Sequence, residues 1–426
     1  MSDSRFLKRL FQAYYQEREK QIPIINQFEQ REYGFIPWDK QIMIRHTAFS
    51  DNDDLRDFLI KQGPRHTYFS GSLYKHPDNP DMENKDYIGC DLIFDIDVDH
   101  FYTNCKDDHD IYYCKECGYS GKGMIDNCPK CGKSKIKTQT WVCEDCLKIA
   151  KNEIIKLIYD FLIPDFGIEE KEMQVAFSGH RGYHLKIENE KIRVLTSDER
   201  REIVDYLTGE NISFEVLGLR EKGNIIFGFS KENIGWTQKI IKKIEQILSR
   251  PRIELENHLR DKRKFDFNPK LIESFLNYKD DFLQVISENQ KNIWAVEGFG
   301  IKTWHKFLRG IVTEIGVEID EPVTIDIHRL IRYPGSLHGK TGFKVQELKL
   351  EELEDFNPLN ESIEYLDPII FESKNRITQK LEIIADSLPI TKIKDETYGP
   401  YKKGEIVELP HHIAIFFLCK EVAKTI

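Results

Sequence analysis

The stretch Leu92-Ile-Phe-Asp-Ile-Asp-Val98 alternates along its length, so that Asp95 and Asp97 fall on one face and Leu92, Phe94, Ile96 and Val98 on the other. Side chains two apart on a strand project from one face at about 6–7 Å, a separation at which two carboxylates can hold one or two divalent cations. Paired acids on a strand anchored by an apolar face are costly unless something cationic sits between them, so the pattern reads as a metal site. In Ser178-Gly-His-Arg-Gly-Tyr-His184, Gly179 and Gly182 permit a tight turn with exposed amides. His180, Arg181 and His184 add three donors there for an anion such as a triphosphate. A third segment, Asp320 to Gly342, starts acidic and then carries Arg329, Arg332, His338 and Lys340 among the turn residues Pro334, Gly335, Gly339 and Gly342. Acid for metal and base for phosphate in one segment is the equipment of nucleotidyl transfer.

Eight of the nine cysteines lie between Cys90 and Cys146, and six of them form three Cys-x-x-Cys pairs. In a chain with intracellular character this pattern reads as zinc and not as disulfides. Cys114-Lys-Glu-Cys-Gly followed by Cys128-Pro-Lys-Cys-Gly has the two-knuckle spacing of a zinc ribbon. Cys90 and Cys419 read as ordinary buried thiols.

The elements that must position these groups are legible around them. With 426 residues, 40% hydrophobic, 31% charged and 12% aromatic, the chain is long enough for two or three domains and excludes a disordered, collagenous or coiled-coil protein. The net charge of −10 argues against a general polyanion-coating role but not against a basic groove. No apolar run reaches the roughly 18–20 residues of a membrane span, and the charged start at Met1 reads as an amphipathic helix with no leader, so a cytoplasmic protein without membrane association is expected. Helices are expected near Phe6–Tyr14, at Asp53–Lys61, from Leu147 to Phe161 ahead of Pro164, and at Thr303–Ile315. A strand, turn and strand are expected over Met173–Ile187, and a strand at Glu405–Leu409 is followed by a helix after Pro410. Residues 104–142 lose all periodicity. From 191 to 310 the signals are helical, opening on a Thr196/Glu199 capping box. The basic clusters there, Arg250-Pro-Arg252 and Arg260-Asp-Lys-Arg-Lys264, read as a solvated helix face or as phosphate contacts.

Taken together, Leu92-Ile-Phe-Asp-Ile-Asp, Ser178-Gly-His-Arg-Gly-Tyr-His and Arg329-Leu-Ile-Arg-Tyr-Pro-Gly-Ser-Leu-His-Gly-Lys-Thr-Gly resemble the small, catalytic subunit of archaeal and eukaryotic-type DNA primase, over residues 1 to about 350. The resemblance implies an α+β fold, with a catalytic core of mixed or antiparallel sheets and flanking helices discontinuous over 1–103, 143–190 and 311–350. Beside that core the residues themselves mark a zinc-binding module at 104–142, whose inserted ribbon departs from the family's simplest single-zinc pattern, a helical insertion at 191–310 and a C-terminal appendage at 351–426. Carried over residue by residue, the family's metal-binding acids fall on Asp95, Asp97 and Asp320, which precedes His338 by eighteen positions, with Asp326 and Arg329 left structural. The nucleotide-binding set falls on Arg45, Ser178, Arg181, His184, Arg332 and His338. One family zinc site maps onto Cys105, His109, Cys143 and Cys146, and with Cys114, Cys117, Cys128 and Cys131 as the ribbon two structural zincs are expected.

The implied activity is template-directed synthesis of short primers on single-stranded DNA from nucleoside triphosphates, with two catalytic Mg or Mn ions. A heterodimer with a primase large subunit bearing an iron–sulfur cluster is implied too; no cysteine set is left here for that cluster. A stand-alone primase-polymerase or repair polymerase with the same core is the enzymatic alternative. A zinc-ribbon nucleic-acid-binding protein with an inert acid pair is the non-enzymatic one.

Overall fold

The computed structural model describes residues 3–18, 22–230, 232–287, 292–372 and 377–426. Leu7, Phe11, Tyr14 and Tyr15 recur at helical spacing and are buried along one side of α1 (Asp3–Glu17). After β1 (Tyr33–Ile36) and β2 (Ile44–Thr47), the Asp51 side chain caps α2 (Asn52–Gln62) by accepting from the Asp54 amide, and Gly63 closes it in the left-handed conformation. Then come β3 (His66–Ser70), β4 (Leu92–Asp97), α3 (Glu144–Lys156), β5 (Met173–Phe177), β6 (Gly182–Ile187), α4 (Glu321–Ile325), β7 (Leu330–Arg332), β8 (Gln346–Leu348) and α5 (His411–Cys419).

Two four-stranded antiparallel sheets carry the core, in the orders β7-β3-β1-β2 and β8-β5-β6-β4. In the second sheet Asp95 pairs with His184 and Asp97 with Gly182, while Ala176 of β5 stands between His184 and Glu347 of β8. Register alone therefore puts Asp95, Asp97, His184 and Lys186 on one face. The opposite face, with Phe94, Ile96, Tyr183, Leu185 and Phe177, is buried, and Leu147, Ala150 and Ile154 of α3 are buried with it. This is the fold class expected, helices with antiparallel sheets.

Three features exceed the sequence reading. The helix after Cys143 does not stop at Pro164. Leu157–Leu162 widen into a π-helical turn, and Pro164 then opens the short helix Ile163–Phe166 where no amide donor is needed. The segment without periodicity forms a three-stranded sheet, with Ile111–Cys114 between Ser120–Lys122 and Ile136–Gln139; its strands are too short to print an alternation. Beyond residue 377 the chain adds small antiparallel sheets, of which Thr378–Ile383 flanked by Ile406–Pro410 and Ala423–Thr425 is the largest.

Two compact units result, one of Met1–Ile158, Ile168–Arg201 and Ile319–Ile426, the other of Tyr159–Gly167 and Glu202–Glu318. The second is helical around a cluster of stacked, tilted and edge-on aromatic rings, among them Phe267, Phe275, Phe282, Phe299 and Phe307. One of its basic clusters is drawn into acids: Arg260 pairs with Glu256, Arg263 with Asp261 and Lys264 with buried Glu314, while Arg252 donates to the Leu276 carbonyl and Asn277. The Thr196/Glu199 capping box forms in the first unit, each side chain bonding the other residue's amide. No described helix is long and apolar enough to cross a membrane.

At Gly182 β6 lies close against the edge strand β4: a Cβ there would strike the Ile96 carbonyl oxygen and Asp97 Cα. Gly182→Ala should therefore destabilise the protein by about 1–3 kcal/mol through overpacking, read in a urea melt, and should move Asp97 relative to His184.

Candidate active site and metal centres

The acid row is built on the β4 edge. Asp95 and Asp97 are partly exposed on that strand, and Asp320, at the start of α4, is tied to it by its amide on the Asp95 carbonyl (2.8 Å). Burial, and after it the charges of Asp97 and Asp320, hold the Asp95 carboxyl well above the usual carboxylate range. Burial and the neighbouring Asp99 push Asp97 up as well. Asp95 Oδ1 has no hydrogen-bond partner, and neither has His184 Nδ1 in the same row; the other His184 nitrogen stands 3.4 Å from Asp95 Oδ1. Orphaned oxygen and crowded negative charge are the signature of a place made for cations.

Asp97, Asp99 and His180 also bring ligand atoms within 4.8 Å of one another. In the sequence Asp99 continues the alternation of Asp95 and Asp97, while His180 reads as an anion donor. Only the fold of the Ser178–Gly182 turn reveals that neighbourhood.

The basic residues sort into two groups by their partners. Arg181 is 1% exposed. Its guanidinium donates to Asp99, to both oxygens of Asp110 (2.9 Å each) and to the Trp141 carbonyl (3.1 Å). Arg45 is held by Glu32 (2.8 Å) and the His328 carbonyl (3.1 Å). These two candidate phosphate residues thus have protein partners for their charge. Arg332 has no such acid: it stands 2.8 Å from His66 Nδ1 and over the Tyr68 ring, with no carboxylate within 4.0 Å among the described residues. Lys340 is exposed.

Three imidazoles join the two groups. His180 stacks on His338 (5.0 Å, 11°), and His338 meets His66 edge-on (4.9 Å). Burial, then the surrounding cations, holds all three well below the ordinary histidine value, so they are neutral. His338 Nδ1 accepts from the Lys340 amide (3.2 Å), which leaves Nε2 to carry the hydrogen and to donate. Burial and Arg332 bring His184 down to about 3. The Ser178 turn is clamped onto the His338 turn by Thr341 Oγ1 on the Gly179 carbonyl (2.6 Å), with Gly179 at φ +79°, where a side chain would also strike His338. A small open pocket is lined from both sheets by Phe69, His184, Lys186, Ile331, Arg332 and Glu347.

Two cysteine clusters bring their ligand atoms together as the sequence grouped them: Cys105, His109, Cys143 and Cys146, and Cys114, Cys117, Cys128 and Cys131. Each is fit to hold a metal ion. Gly118 and Gly132 follow their knuckles at φ +71°. In the first cluster His109 turns Nε2 towards Cys146 Sγ (3.6 Å) and Nδ1 towards Asp110 (2.8 Å), the carboxylate–histidine arrangement that orients a metal-ligating imidazole. Asp110 also accepts from the Trp141 amide. Burial alone would raise its carboxyl, but His109 and Arg181 reverse this and hold it below the usual value.

Asp110→Ala should cost about 3 kcal/mol, because it removes the more buried of the two carboxylates that balance a buried guanidinium. Asp99→Ala, whose side chain is 27% exposed, should cost less. Parallel urea melts of the two variants check this order.

A sequence profile of the DNA primase small subunit family matches residues 135–349, from the Cys143 knuckle through the His338 turn. The chain is 32% identical to the DNA primase small subunit PriS of Methanocella arvoryzae over 97% of its length and 96% of the relative's. It is likewise 32% identical to PriS of Methanothrix thermoacetophila (99% and 98%) and 31% identical to that of Archaeoglobus fulgidus (97% and 96%). Asp95 and Asp97 lie outside the profile match but within the span that these near full-length alignments can cover. A sheet edge of crowded acids, two turns of basic residues clamped together and two cysteine clusters thus coincide with similarity along almost the whole chain, which belongs to the archaeal-type DNA primase small subunit family.

Proposed function

We propose that this chain is the catalytic subunit of a primase, which copies single-stranded DNA into short primers from nucleoside triphosphates and works as a heterodimer with a primase large subunit. The observation that carries the reading is the Asp95 row: a buried, unpartnered carboxylate oxygen and two further acids face basic groups that have no acid of their own. Asp95, Asp97 and Asp320 would hold Mg or Mn. Two such ions, when bound, activate the attacking 3′-hydroxyl and neutralise charge on the triphosphate and departing pyrophosphate.

The chain's own residues do the rest. Arg332, His338 through its Nε2 hydrogen, His184 and the Ser178 turn orient the phosphates, and the neutral imidazoles donate without repelling the ions. Arg181 and Arg45 act one layer back, by holding the turn and the first sheet in place. Pairing with the template selects the nucleotide, so no side chain need read a base.

The cysteine clusters are proposed to hold one structural zinc each. The first fastens the chain after β4 to the start of α3; the second closes the tip of the small sheet.

Asp95→Ala, Asp97→Ala and Asp320→Ala should each reduce primer synthesis on single-stranded DNA by on the order of 10³-fold or more, with fold and template binding retained. Asp326, whose Oδ1 only accepts the His328 amide, should tolerate Asn. An essential Asp326 with a dispensable Asp320 would overturn the assignment. The assay is run with the co-purified partner and without it, since a replicative subunit should depend on it for initiation.

Elemental analysis should find two zinc ions per chain, one for each cluster. Cys114 and Ile136 are register partners, so replacing 115–135 by two glycines, with Cys114→Ser, should remove one zinc and leave the core folded. Cys143→Ser should instead lower the melting temperature by about 10 °C, if roughly 4 kcal/mol is lost.

A further inference from the structure

Lys420 follows helix α5, far from every motif that bears on the chemistry. Its side chain nevertheless ends at the Ser178 turn: Nζ donates to the Thr140 carbonyl (2.9 Å) and stands 2.8 Å from His180 Nε2, with the Phe416 ring below it. Among the described residues no carboxylate lies within 4.0 Å of this ammonium, although the chain is rich in acids and most interior cations of the same unit have one. Arg31 has Asp91, Lys85 has Glu32, and Arg181 has Asp99 and Asp110. A nitrogen of His180 in turn lies within 4.8 Å of oxygens of Asp97 and Asp99. The Lys420 ammonium is thus one imidazole away from the acid row.

An interior cation without a counter-ion is expensive unless an anion arrives to balance it. Arg332 and Lys420, both half-buried, are such cations without an acid, and exposed Lys340 joins them around the His66, His338 and His180 rings. Burial, then Arg181, already draws the Lys420 ammonium down to about 7, and an incoming anion would hold its charge.

We propose that Lys420, supplied by the C-terminal segment, is a phosphate-binding residue of the nucleotide site, set beside His180 to complete with Arg332 and Lys340 a clamp for the triphosphate. The inference rests on the reading of this site as a nucleotide site. It gives residues 411–420 a role in substrate use, and it places the triphosphate's charge on those cations that lack acids, not on Arg181.

The test is steady-state primer synthesis by the complex with its partner, comparing Lys420→Met, Lys420→Arg and Arg332→Ala with wild type. Lys420→Met should raise KM for the nucleoside triphosphate roughly 10- to 150-fold, the worth of a charged hydrogen bond, with kcat, template affinity and melting temperature nearly unchanged. Lys420→Arg should restore most of the loss. An unchanged KM in Lys420→Met, together with a raised one in Arg332→Ala, would overturn the inference and leave the nucleotide site standing. Unchanged KM in both would overturn the site itself. If Lys420→Met does not fold, Lys420→Gln, which can still donate to the Thr140 carbonyl, takes its place and is read in the same way. Parallel losses of template affinity, kcat and KM would mark a merely structural lysine and also overturn the inference.

Discussion

A single buried guanidinium ties the working parts of the first unit together. Arg181 sits on the turn between β5 and β6, yet its partners come from the end of the acid strand (Asp99), from the cysteine module (Asp110) and from the approach to α3 (Trp141). Asp110 passes the constraint on to His109 and so to the first cysteine cluster. The desolvation of one arginine is offset only when all of these segments are in place. The consequence is that the turn bearing Ser178 and His180 has one position relative to β4, and a metal at the Cys105 cluster is mechanically connected to it.

The acid row and the basic turns solve opposite problems by opposite means. The acids are left under-compensated on a sheet edge, where register forces Asp95 and Asp97 onto one face and α4 brings a third. The bases that face them are mostly imidazoles kept neutral by burial. Protonated histidines in that position would collapse onto the carboxylates and cancel the site. Neutral ones leave the acids available for cations while still presenting N–H groups.

How far the sequence carried the argument depended on local periodicity. The alternation of Leu92–Val98, the helical spacing of α1 and α2 and the four-cysteine ribbon are short-range patterns, and the structure contains them. The turn between Phe177 and Gly182 was also legible, but the acids that take up its arginine were not. Arg181 and Arg332 look alike in sequence, and only the distant Asp99 and Asp110 distinguish the compensated cation from the uncompensated one. For the same reason Lys420 carried no signal, since nothing near it in the chain has chemistry. Of the small strands beyond residue 377, Ile406–Pro410 was legible at Glu405–Leu409; others, as short as two residues, barely establish a period.

The Lys420–His180 contact spans 240 residues of chain, and Tyr14 reaches the Gly335 carbonyl across 321. Contacts this remote in sequence form only after long loops have closed, so they come late in folding and slow it. Hydrophobic burial of α3 against the second sheet can precede them, since that packing is comparatively local. A collapsed form would then hold its cysteine clusters and the β4, β6 and β5 part of the second sheet, while the pairing of Leu330 in β7 with Ser70 in β3 and the clamp were still to close. Triphosphate affinity would be the last property this chain acquires as it folds, and a bound analogue would report completion where circular dichroism would already have levelled off.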